Sequence, residues 1–282
     1  MDAGRGDAGR GTRGNWIDGQ LGTAHAGGMA TKISAALWAL LPELRYEPTA
    51  KHIRALLGGV PVLDTRSAVV LWEPRRVVPC YAVPANDVVG VLSPAPPTPP
   101  SPDLPPVLHP GIPFGQHSAP GTALDVSSGG QTAAGGAFEL EDTDLAGYVA
   151  FDPTAFSWLE EDDSVQAHPR DPFHRIDIRH STRHVRVSSG GVVLAESTTP
   201  ALVFETGMAE RIYVPPSDVN WDQLIPTDSV TLCPYKGVAS YWRLAGGSGE
   251  DVAWSYQKPL PPAAEIAGYV CFYDHLVDVT EL

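Results

Sequence analysis

"HVRVSSGGVVLAESTTPALVFE", His184 to Glu205, has a counterpart earlier in the chain, "HIRALLGGVPVLDTRSAVVLWE", His52 to Glu73. The His, Arg, Gly-Gly, Val and final Glu coincide, and most other positions change conservatively, as in Ile53/Val185, Asp64/Glu196, Thr65/Ser197 and Trp72/Phe204. An internal repeat of this kind sets the architecture before any single element is read. Within each copy the signals are those of strands. "HVRV" alternates, Gly190-Gly191 marks a tight turn, and "GVVLAES" resumes a half-buried strand. "ALVFE" and "RIYVP" are β-branched and aromatic runs, the second stopped by Pro215-Pro216.

A second pair of landmarks extends the repeat. "LAGYVAF" (Leu145 to Phe151) returns as "IAGYVCF" (Ile266 to Phe272), and the offset falls from 132 (184 − 52) to 121 (266 − 145). The first copy is therefore longer between its landmarks. The extra length lies in "SPAPPTPPSPDLPPVLHPGIP", Ser93 to Pro113, which suits polyproline II and supplies no sheet hydrogen bonds. It stands where the second copy runs "IPTDSVTLCPYKG", so the first copy is expected to have lost both that turn and the Trp-rich hairpin after it. The segment reads as a stiff spacer or as a docking peptide for an aromatic-lined groove. "ASYWRL" and "VAWSY" flank "AGGSGED" as a hairpin, and "IAGYVCFY" reads as the final strand. Ile33 to Leu41 and Ala155 to Glu161 read as helical.

The fold expected is all-β, two tandem small antiparallel domains. Residues 1–32 form a disordered leader, with Met29 a candidate start. Residues 33–160 form the degenerate N-terminal domain with its insertion at 93–113, 161–174 a charged linker, and 175–282 the C-terminal domain.

Composition narrows the function classes. With 28 prolines and 28 glycines the chain favours turns over long helices, and a net charge of -14 argues against nucleic-acid polymers and anionic membranes. The apolar run Ile33–Leu41 is too short to cross a bilayer. Cys80, Cys233 and Cys271 are scattered and odd in number, which points to a reducing cytoplasm without a disulfide framework or a Cys-x-x-Cys zinc site. His168, His174, His180 and His184 fall in the charged linker region without the spacing of a metal signature. No cofactor or metal is expected.

"GGVVLAEST", "FET", "YVPPSDV", "CPYKGVASYW", "AWSY" and "IAGYVCFY" together resemble the family called domain of unknown function 427, which in places carries a nucleotidyltransferase-like label. The resemblance spans roughly residues 175–275; the N-terminal copy matches only at its ends. It implies a β-tent, two antiparallel sheets pinned along one edge. The four-Cys zinc site of better-known tents is not implied, because its cysteines are absent here. The label makes a nucleotide the implied substrate.

The chemistry-bearing stretch is Cys233 to Tyr256. Lys236, one of four lysines, sits in a turn before the hairpin. On alternating strands Trp242 and Leu244 share one face while Tyr241 and Arg243 share the other, and Trp254 and Tyr256 lie together. Tyr235, Trp242, Trp254 and Tyr256, with Tyr241 and Tyr269, could clad a small molecule that Lys236 orients. Lys236 is thus either the working group of a pocket, with Glu205 as its acid–base partner, or a solvated turn lysine beside an aromatic core. Glu205 and Glu73 could instead pair with the repeated Arg186 and Arg54. Cys233 is a candidate nucleophile if a base reaches it, and otherwise a small buried apolar residue. The reading is a small-molecule site in the C-terminal copy or between the copies, catalytic in one version; the alternative is a non-catalytic binding or interaction module.

Overall fold

The computed structural model describes residues 30–99, 101–247 and 249–282. Most of the expected leader, including Met29, lies outside the described residues. The chain divides into two compact domains, one ending at Pro169 and one spanning Arg170–Leu282.

The N-terminal domain opens with helix α1 (Ile33–Ala39) and continues as strands β1 (Arg45–Pro48), β2 (Ile53–Leu57), β3 (Val60–Thr65), β4 (Val69–Trp72), β5 (Cys80–Pro84), β6 (Val91–Pro94), β7 (Gly121–Ser128), β8 (Gln131–Leu140), β9 (Tyr148–Phe151), β10 (Ser157–Glu160) and β11 (Asp163–Ser164). The larger sheet has the order β1-β4-β5-β9-β8-β7-β6 and the smaller β11-β10-β2-β3. The C-terminal domain comprises β12 (Ile176–His180), β13 (Val185–Ser189), β14 (Val192–Ser197), β15 (Ala201–Glu205), β16 (Arg211–Val214), β17 (Leu224–Cys233), β18 (Gly237–Leu244), β19 (Asp251–Ser255), β20 (Val270–Phe272) and β21 (Asp278–Glu281). Its sheets run β12-β15-β16-β20-β19-β18-β17 and β14-β13-β21. The two strand orders correspond one for one, apart from the extra edge strand β11. All strand pairings are antiparallel.

Local chemistry explains the repeated hairpin. Gly58 and Gly59 have φ of 56° and 87°, and Gly190 and Gly191 have 57° and 82°. Two consecutive left-handed residues make the tight turn whose twist matches its strands, and only Gly takes both positions without strain. A register shift follows Ala55 in one hairpin and Val187 in the other.

The central strands β4 and β5 are buried on almost every residue, so each larger sheet is covered on both faces. The inner face packs on the smaller sheet. In the N-terminal domain this core holds Ile53, Val62, Trp72, Val83, Phe151 and Trp158. In the C-terminal domain it holds Val187, Leu194, Val214, Phe272 and Val277. The outer face forms a second cluster in each domain.

Three expectations are corrected. Residues 155–161 are not helical, because Ser157–Glu160 pairs with β2 and cross-strand bonding overrides the helix-like spacing. The final strand is β21, not the "IAGYVCFY" strand. The N-terminal domain has not lost its hairpin: β7 and β8 occupy the places of β18 and β19, without their tryptophans.

The second half of the proline-rich insertion is also no free spacer. Leu108 is fully buried, its N–H donates to Arg75 O, and its carbonyl accepts from Val77 N. Arg76 donates to the carbonyls of Ile112 (3.3 Å), Pro113 (2.9 Å), Phe114 (3.1 Å) and Gln116 (2.8 Å). Proline leaves its neighbours' carbonyls without ladder partners, and one guanidinium collects four of them. Replacing Arg76 with Ala should cost about 3–5 kcal/mol, because it strands these carbonyls and the nearby Glu73 carboxylate. Urea unfolding and limited proteolysis of the full chain check this: cleavage within residues 95–116 should precede cleavage elsewhere. An unchanged digestion pattern would refute the anchoring role.

Candidate functional site

The outer face of the C-terminal seven-stranded sheet gathers most of the candidate residues. Glu205 ends β15 on the same side as Ala201 and Val203, which aims its carboxylate into this cluster. Lys236 Nζ donates to Glu205 Oε1 at 2.5 Å, and His174 Nε2 lies 3.3 Å from Oε2. Both members of the ion pair are buried, the Lys236 side chain to 8% exposure and Glu205 to 5%. Burial alone would raise the Glu205 pKa, but the His174 hydrogen bond and the Lys236 charge override it and lower it to about 2.

Lys236 is held there by its turn. Gly237 has φ of 98°, a conformation that ends the turn and returns the chain into β18. Arg170 Nε donates to Pro234 O (2.8 Å), Asp171 N donates to the Tyr235 hydroxyl (2.6 Å), and the His174 ring lies 4.4 Å from that of Tyr235. Residues 170–174, read from sequence as linker, thus belong to the C-terminal domain and fasten the Cys-Pro-Tyr-Lys-Gly turn. Lys236 is not a rim lysine. Its ammonium lies 5.9 Å from the Tyr256 ring centroid.

Beside this ion pair, Trp254 Nε1 donates to the Tyr213 hydroxyl at 3.1 Å. The Arg211 guanidinium stands 5.8 Å from the Trp254 ring centroid, and Tyr273 lies against the same ring at 4.5 Å. Tyr241 pairs directly with Trp254 across the hairpin and hydrogen-bonds Thr231 (2.6 Å). Tyr269 and Cys233 are half-buried against the cluster. Cys271 is fully buried, and desolvation pushes its thiol up to about 12.

Trp242 does not belong here. The alternation expected along β18 is real, but Trp242 faces the inner core with Leu244 and lies 5.5 Å from Trp221. The predicted site mixed the two faces. Neither Arg186 nor Arg54 touches the repeated glutamates: Arg186 pairs with Glu196, and Arg54 with Asp162. No base among the described residues hydrogen-bonds Cys233. Sequence reasoning missed His174, Arg211, Tyr213 and Tyr273. The sole signal was that Arg211 and Tyr213 alternate on the strand after Glu205. Among the described residues, no group of three or more His, Cys, Asp or Glu side chains is placed to hold a metal ion.

Residues 177–282 match the family described as Domain of unknown function (DUF427), NTP_transf_9. The C-terminal domain belongs to this family. A search of curated proteins returns no match to the chain. Among the described residues, no helix is long and apolar enough to cross a membrane.

Strand register allows the DUF427 domain to be compared with the N-terminal domain position by position. Arg211 and Tyr213 pair with Val203 and Ala201, as Cys80 and Ala82 pair with Leu71 and Val69. Cys271 corresponds to Ala150, Trp254 to Phe138 and Tyr241 to Ala123. The polar and aromatic side chains of the outer face are thus replaced by small or apolar ones. The carboxylate is kept: Glu73 accepts from the backbone of Ser118 (2.7 Å), with His117 Nδ1 at 2.9 Å and Arg76 at 3.7 Å. Each domain therefore buries one glutamate between an imidazole and a cation.

The depressed Glu205 pKa makes that carboxylate acid-labile. It contributes stability above the unfolded-state value near 4.5, and this is lost as pH falls towards 2. Glu205→Gln should flatten the part of the acid limb that belongs to the C-terminal domain. It should also cost about 3–5 kcal/mol at neutral pH by leaving Lys236 buried without its counter-charge. Urea titrations of the full chain across pH 2.5–7 read both; an unchanged acid limb would show that Glu205 is not the group responsible.

Proposed function

We propose that the DUF427 domain binds a small molecule at the outer face of its seven-stranded sheet. Arg211, Trp254 and Tyr273 form the contacting wall, with Tyr213, Tyr241 and Tyr256 as its floor. The observation that carries this reading is the position-by-position difference between the domains. The N-terminal domain builds the same strand order with Cys80, Ala82, Ala123 and Phe138 at the places of Arg211, Tyr213, Tyr241 and Trp254. The fold therefore needs neither an arginine at the Arg211 position nor this set of hydroxyls, and burying them costs free energy that a ligand contact can offset. The same strand order supports descent of the two domains from one duplicated ancestor, with the N-terminal copy degenerate.

The Lys236–Glu205–His174 group serves this site as a rigid support, since its counterpart Arg76–Glu73–His117 occurs on the depleted face too. A carboxylate held ionised to about pH 2 is no general acid at neutral pH, which favours binding over acid–base catalysis by Glu205. The nucleotidyltransferase label of the family makes nucleotides the first class to test. Net charge of -14 argues for a small ligand over a nucleic-acid polymer. The free thiols of Cys80, Cys233 and Cys271 support a reducing cytoplasm.

A thermal-shift screen of the full chain against nucleotides and unphosphorylated metabolites tests the reading. A true ligand at about a hundred times its Kd should add roughly 2.7 kcal/mol to the stability of the C-terminal domain. Trp254→Leu or Tyr273→Ala should abolish the shift, while Phe138→Leu, at the matching N-terminal position, should leave it intact. A shift that survives both C-terminal substitutions would place the ligand elsewhere and overturn the proposal.

A further inference from the structure

Arg211 is a buried cation with almost nothing to neutralise it. Its side chain is 7% exposed, yet among the described residues it makes one side-chain hydrogen bond, from Nη1 to Asp274 Oδ1 at 3.5 Å. That distance is the long limit of such a bond, and the Asp274 side chain is 48% exposed in the turn after β20. The other buried cations are served differently. Lys236 meets a buried carboxylate at 2.5 Å, and Arg76 spreads its donors over four carbonyls. Arg211 also faces the ring of Trp254, which offers π-density and no acceptor oxygen. A guanidinium carries five donors in a fork that fits two oxygens of one anion.

We infer that Arg211 is the anion subsite of the C-terminal face, that Asp274 stands there in the free protein, and that the ligand's own phosphate or carboxylate displaces it. The inference rests on the small-molecule reading above and adds the ligand class: an aromatic ring for Trp254 and Tyr273, joined to a terminal anionic group. Asp274 suits the role of a displaceable occupant. It lies on a turn half open to water, and its contact with Arg211 is a long one that a better-placed oxyanion can replace. The N-terminal domain has Cys80 at the position of Arg211 and so lacks the cation that would define such a subsite.

Calorimetric titration of the full chain with adenosine monophosphate, benzoate and inorganic phosphate, beside the neutral counterparts adenosine and benzamide, tests the assignment. At least one ring-bearing anion should bind about tenfold or more tighter than its neutral counterpart, a difference that Arg211→Gln should erase. Adenosine monophosphate and benzoate separate a phosphate from a carboxylate as the preferred group, and inorganic phosphate reports the anion alone. Asp274→Asn, checked for an unchanged circular-dichroism spectrum, should tighten the anion by about threefold or more by removing its competitor. Charged and neutral forms binding alike, with Trp254→Leu still abolishing both, would sink the anion subsite while leaving the site itself standing. Binding of the anion unchanged by Asp274→Asn and Arg211→Gln, or no binding of any anionic probe to Asp274→Asn at millimolar concentration, would also overturn the assignment.

Discussion

A carboxylate buried at the end of a central strand organises each domain. Glu205 and Glu73 sit at the point where a covered strand leaves the sheet, and an unpaired charge there would cost several kcal/mol. The loops that follow are therefore not free to wander. In the C-terminal domain the Cys-Pro-Tyr-Lys-Gly turn must deliver Lys236, and residues 170–174 must deliver His174. In the N-terminal domain the segment that follows the insertion must deliver His117 and the amide of Ser118 to Glu73. One acidic side chain in each sheet thus dictates the path of two otherwise unrelated loops.

This constraint separates what the fold requires from what it merely permits. The acid–imidazole–cation group is present whether the face around it is polar or not, so its chemistry belongs to the scaffold. The surplus lies in Arg211, Tyr213, Trp254 and Tyr241, whose places in the other domain are filled by Cys80, Ala82, Phe138 and Ala123. Two domains of one strand order in one chain serve as internal controls for each other. A conspicuous lysine proves to be the less discriminating residue, and an arginine at the start of a short strand the more discriminating one.

The architecture was legible in the sequence because its signals are local. Gly-Gly pairs, alternating Val and Ile, and the matching "AGYV" landmarks report backbone geometry directly. The hairpin of β7 and β8 was hidden because "GTALDVSS" and "AAGGAFEL" carry Ala and Gly where its counterpart carries aromatics, so composition no longer speaks for strand. "AFSWLEE" looks helical by spacing and becomes strand through pairing with β2, which lies about a hundred residues earlier. Period two separated Tyr241 from Trp242 correctly but could not say which face would hold the ion pair. The burial of Arg211 was illegible for the same reason. An arginine opening a strand usually snorkels to water, and only the assembled sheet shows it covered.

The smaller C-terminal sheet has a bearing on how the domain comes together. β13, in its middle, is flanked by β14 through a tight Gly-Gly turn and by β21 from the far end of the chain, with Thr280 and Arg186 separated by 94 positions. The meander of β17, β18 and β19 closes through neighbours, at little loop entropy, whereas β21 must wait until everything between has condensed. The last strand is therefore a latch that sequence distance makes late to close. Until it does, β13 presents an open edge and the inner core around Val277 and Val279 lacks its cover, so the hazard of mispairing is concentrated in the final moments of folding.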